Sequence, residues 1–100
     1  MSLRLIFKPA PRLEFEEATA WYEAQQAGLG LEFTLEAHKA LERAQGDVEL
    51  FRQVRGRARR IRLRRFSQYS IYFAVKDDAF SVLSDFHGAR NPAILRRRLK

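Results

Sequence analysis

One hundred residues with 46% hydrophobic and 12% aromatic side chains suffice for one small core and are too few for two, and they argue against disorder although 31% of the chain is charged. There is no cysteine, which excludes disulfides, thiol nucleophiles and thiolate metal sites, and the only histidines, His38 and His87, lack an HExxH-type spacing, so neither a metal nor a cofactor is expected. The net charge of +7 is unevenly placed: residues 1–50 carry five Lys+Arg against nine Asp+Glu, a net of −4, whereas residues 51–100 carry fourteen against three, a net of +11. A basic half of this kind attracts polyanions such as nucleic acid, the ribosome or an acidic protein segment. No apolar run reaches the length of a signal peptide or a membrane span, so a soluble, cytoplasmic single domain over residues 1–100 with no membrane partner is expected.

Leu3, Leu5 and Phe7 alternate with Arg4, Ile6 and Lys8, which predicts a short strand ended by Pro9 and Pro11. From Arg12 to Gln26 the chain favours helix, with Leu13, Ala20, Trp21 and Ala24 expected to line one side and Phe15, Ala18 and Tyr22 to widen it. Ala27-Gly28-Leu29-Gly30 breaks the pattern, Gly28 being the expected carboxyl cap. A second helix runs on to Ala44 with Phe33, Ala37, Ala40, Leu41 and Ala44 on its inner side and Glu32, Glu36, Lys39 and Arg43 on its outer side; His38 also belongs to the solvated side. Two helices joined so briefly predict an antiparallel hairpin packed on a sheet.

Residues 48–56 read as a connection whose Leu50, Phe51 and Val54 tuck under the helices. Three strands follow. In the first, alternation sets Arg60, Arg62 and Arg64 on one face with Phe66, and Ile61 and Leu63 on the other, toward the core. A row of guanidiniums repels itself unless an anion lies across it, so the row is either a binding face or an edge protected by charge. In the second strand Tyr69, Ile71, Phe73 and Val75 share the core face, with Tyr72 on the arginine face as a candidate stacking platform; in the third, Phe80, Val82, Ser84 and Phe86 share the core face and His87 lies opposite. Asn91 and Pro92 open a short terminal helix bearing Arg96, Arg97 and Arg98. The predicted class is α+β in the order β-α-α-β-β-β: a helical hairpin on a mainly antiparallel four-stranded sheet, the first strand joining antiparallel, with a short carboxyl-terminal helix.

This order, with Ala18 to Gly30 and Phe33 at the hairpin, Arg60-Ile61-Arg62, Phe66-x-x-Tyr69-x-Ile71-Tyr72, and Val82-Leu83 leading to His87-x-x-Arg90-x-Pro92, resembles the RelE/ParE superfamily of toxins from bacterial type II toxin-antitoxin systems, over nearly the whole chain. The resemblance implies a growth-inhibiting toxin held inactive by a cognate antitoxin with an acidic, amphipathic carboxyl-terminal segment. Superfamily members either cleave ribosome-bound mRNA, as RelE-like endoribonucleases, or inhibit DNA gyrase, as ParE-like toxins. Metal-independent cleavage through the 2′-hydroxyl needs a base, an acid and cations around the phosphate, for which His87, Arg60, Arg62 and Arg90 are the candidates. Nuclease members tend to carry an arginine at the position occupied here by Ser70, and some carry a tyrosine where Gly88 stands, so the resemblance favours ParE-like inhibition, with mRNA cleavage as the alternative and a non-toxic binding module as a further one. Residues expected to meet antitoxin or target are Arg60, Arg62, Arg64, Tyr72 and Arg90, together with Arg96, Arg97 and Arg98, since the carboxyl terminus matters for toxicity in ParE-like proteins.

Overall fold

Strand β1, Arg4–Phe7, forms where the alternation predicts it, in a computed structural model that describes residues 3–87 and the side chains of residues 3–84. Helix α1, Pro9–Gln25, begins before the expected Arg12 because both prolines are accommodated in its first turn, where an amide N–H has no intrahelical acceptor to lose. Its buried residues are Pro11, Glu14, Ala18 and Tyr22, with Phe15 beside them, whereas Leu13, Ala20, Trp21 and Ala24 are exposed. The inner face is thus not the expected one: turning Phe15 and Tyr22 inward sets two rings against Phe33, while the competing stripe is half alanine.

Helix α2, Leu29–Gly46, buries Phe33, Ala37, Ala40, Leu41 and Ala44 as the spacing predicts. Gly28 is not the carboxyl cap of α1, which is Gln26, but the amino cap of α2, held at a φ of 89° in the left-handed region that glycine enters without steric cost. A glycine has no side chain with which to cap, and Glu23 does so instead: its Oε2 accepts the Gly28 N–H and its Oε1 the Gly30 N–H, both at 3.0 Å. The last full turn of α1 therefore caps α2, with a negative charge at the positive end of the helix. Replacing Glu23 with Ala is expected to lower stability by about 1 kcal/mol, read as a fall in the thermal midpoint of roughly 4–8 °C, with Glu23→Gln falling between the two in a circular-dichroism melt.

A single 3-10 turn, Val48–Leu50, leads into β2, Gln53–Arg55, then β3, Ala58–Arg62, β4, Tyr69–Lys76, and β5, Ala79–His87. The class is α+β, two helices on a sheet, but the sheet has five strands in the order β1-β5-β4-β3-β2, and β1 pairs parallel with β5. The extra strand accounts for both differences from expectation. Four meander strands instead of three reverse the direction of the last, so the strand that meets β1 runs alongside it. Of the three residues expected to tuck in from this connection Phe51 does so, 6.0 Å from the Phe73 ring, and Val48 packs against the core as well; Leu50 and Val54 are exposed.

Phe66 does not stay on the arginine face. Strand β3 ends at Arg62, the alternation lapses, and Phe66 turns into the core against Tyr22 at 4.8 Å and Phe33 at 5.2 Å. Strand β5 carries a bulge: Phe73 pairs with Val82 but Tyr72 with Ser84, so Leu83 is the extra residue and Ser84 shares the face of Tyr72 rather than that of Val82. At the β4–β5 turn Asp77 takes a φ of 58°, a conformation aspartate tolerates better than most residues. The core is one cluster between helices and sheet, running from Ala18 and Tyr22 through Phe33 to Ile61, Ile71, Phe73, Phe80 and Val82. Burial there pushes the Tyr22 hydroxyl pKa up by desolvation. Among the described residues no helix is long and apolar enough to cross a membrane.

Candidate functional site

Strand β3 sorts the arginines. Ile61, with no exposure, faces the helices, so Arg60 and Arg62 face away from them, opposite Tyr72 and Ser70 respectively in the β3–β4 ladder. Arg59 lies on the Ile61 side and is committed to structure, donating to the Phe51 carbonyl at 2.7 Å and reaching Glu49 at 3.4 Å. Arg65, past the strand end, pairs with Glu32 at 2.8 Å, stacks over Phe66 at 5.5 Å, and donates its backbone N–H to Glu36 at 3.2 Å. Arg60, Arg62 and Arg64 have no ion pair among the described residues. Of the arginines in residues 59–65, those three are left available to a partner.

The expected face is only partly assembled as the alternation predicts. Arg60, Arg62 and Tyr72 are brought together, but Tyr72 is 6% exposed and presents no open ring on which a base would stack. Arg64, beyond the strand, joins Arg62 in the wall of a groove of about 310 Å³ whose other wall is α2, through Lys39 and Arg43. The sequence assigned Lys39 and Arg43 to the solvated side of a helix; their i, i+4 spacing on an otherwise acidic half of the chain was the available sign. The backbone of His87 pairs with that of Tyr69, one step along β4 from Ser70. The side chain of His87, and all of Gly88, Arg90, Asn91, Pro92, Arg96, Arg97 and Arg98, lie outside the described residues.

The other flank of α2 carries a second groove, of about 500 Å³, with Leu5, Phe7, Phe15 and Leu41 as its apolar lining and a polar rim of Arg12 and His38 with Glu16, Glu42 and Gln45. Leu5, Leu13, Leu31 and Leu35 are exposed on this strand and hairpin. Among the described residues no group of three potential metal ligands converges. The two flanks of α2 therefore offer opposite chemistries: one cationic with little apolar surface, one apolar with a mixed rim.

No family model matches the chain, and no curated protein is significantly similar to it in sequence.

Proposed function

We infer that the chain is the toxin of a type II toxin-antitoxin pair, acting by ParE-like inhibition of DNA gyrase and held inactive by an antitoxin with an acidic, amphipathic segment. The helical hairpin on a sheet with a row of available arginines supports the toxin reading. The apolar groove beside α2 supports the antitoxin, because an amphipathic segment laid there buries its apolar side against Leu5, Phe7, Phe15 and Leu41. One observation carries the choice of target: Ser70 stands directly across the ladder from Arg62, and at this position, where nuclease members of the superfamily the chain resembles tend to carry an arginine, it offers a neutral hydroxyl that cannot neutralise a phosphorane.

The expected result is that purified protein, freed of antitoxin, blocks supercoiling by gyrase while leaving translation of a reporter mRNA intact. Unchanged supercoiling overturns the reading. The nuclease alternative draws on Arg60 and Arg62, which have no ion pair among the described residues. It requires that His87→Ala and Arg62→Ala abolish toxicity together with mRNA cleavage; full toxicity in both variants removes it.

A further inference from the structure

We propose that the cationic groove between α2 and the end of β3 is a seat for the phosphodiester backbone of single-stranded nucleic acid. Lys39 and Arg43 stand one helical turn apart on one wall, and Arg62 and Arg64, two residues apart, form the other. All four are exposed and none has an ion pair among the described residues. Among the described residues Glu36 is the one carboxylate in the lining, and its Oε2 is turned to the Arg65 backbone N–H at 3.2 Å. Arg43 is held over the Phe51 ring at 5.7 Å, which orders its guanidinium before any ligand arrives.

The occupant follows from what the groove lacks. Among the described residues its apolar lining is Ala40 and Leu63, both already buried, which offer a protein segment little against which to lay leucines or valines. The apolar groove on the opposite flank of α2 is the one that suits such a segment. A sugar-phosphate backbone brings a charge at every repeat and needs no apolar floor, and guanidiniums bind phosphate oxygens two at a time. Among the described residues the aromatic beside Arg60 and Arg62 is Tyr72, which is buried, so the groove is assigned to tracking the backbone without reading sequence. This goes beyond the toxin reading and does not depend on it.

The test is fluorescence anisotropy with labelled oligo(U) and oligo(dT), titrated between about 50 and 200 mM salt, over which counterion release is measurable. Each phosphate contact on a single strand contributes roughly 0.7 to the slope of log affinity against log salt. Lys39→Ala/Arg43→Ala should therefore lower the slope by about 1.4 and weaken binding roughly 25-fold at 0.1 M salt. Arg64→Ala, on the other wall, should weaken it roughly fivefold. Arg4→Ala/Lys76→Ala removes the same charge at the opposite end of the sheet and should leave binding within about twofold, as expected for distant screened charges. Equal losses in the two double variants would mean attraction to net charge alone and overturn the proposal, as would an oligonucleotide that does not bind. A poly-glutamate peptide that binds tighter than the oligonucleotides through Lys39 and Arg43 would make the occupant an acidic protein segment and overturn it too. Neither gyrase nor antitoxin enters the measurement, so its failure and failure of the toxin reading are separable.

Discussion

Phe33→Ala is expected to cost about 3–5 kcal/mol, as full truncation of a buried ring does, against a total stability of roughly 5–15 kcal/mol for a chain of this length. Phe33 has no exposure, and four rings meet it: Tyr69 at 4.7 Å, Tyr22 at 4.8 Å, Phe66 at 5.2 Å and Phe15 at 5.3 Å. Those rings come from α1, from the turn after β3 and from β4, so Phe33 is the point at which the hairpin is fastened to the sheet. Truncation leaves a cavity that four aromatic side chains cannot fill without leaving their own rotamers, which places the cost in the upper part of the range. Urea unfolding followed by circular dichroism checks it: the midpoint should fall sharply while the slope, which follows the surface exposed, stays constant. Phe33→Leu should recover more than half of the loss. A truncation cost below about 1 kcal/mol, within the usual spread for exposed sites, would mean the hairpin is held by other contacts.

The elements that were legible in the sequence are those whose own periodicity decides their burial. Phe33, Ala37, Ala40, Leu41 and Ala44 stand at helical spacing among charged residues, and Tyr69, Ile71 and Phe73 alternate without interruption; both sets are buried. Helix α1 was ambiguous because apolar residues occupy most of its circumference, and the choice was made by ring packing across the hairpin, which spacing does not encode. Strand β2 is three residues long, too short for a pattern, and exists because Gln53 and Arg55 find partners in Arg59 and Ala58. Missing it reversed the expected direction of β1 relative to the neighbouring strand. Strict alternation misplaces Phe66 and Ser84 for a common reason: it does not survive the end of β3 at one or the bulge in β5 at the other. Arg60 and Arg62 could be found from sequence because they share a strand. Lys39 and Arg43 could not be joined to Arg62 and Arg64, which lie about twenty residues further on and meet them only through packing.

The last of the larger effects concerns the place where the two helices cross. Gly30 is buried at the start of α2, and a Cβ there would lie 2.9 Å from the Thr19 carbonyl oxygen and 3.0 Å from Glu23 Oε1. The first neighbour is backbone and cannot swing aside, so the hairpin itself must open. Gly30→Ala should cost about 1–2 kcal/mol and Gly30→Val, with its added branch, about 3 kcal/mol, the upper end for overpacking. Both variants also push on the carboxylate that accepts the Gly28 and Gly30 N–H groups, the valine with its branch further, so packing and capping are weakened together. Gly46 supplies the control. A Cβ at Gly46 meets nothing within 4 Å, and Gly46→Ala should leave the melting midpoint unchanged or raise it, because alanine restricts the unfolded chain. If Gly30→Val melted with Gly46→Ala, the close approach of α1 and α2 would not be a constraint on the fold. If it melts lower by the expected amount, the oligonucleotide affinity of the folded Gly30→Val protein should fall as well, since opening the hairpin shifts α2, and with it Lys39 and Arg43, away from Arg62 and Arg64.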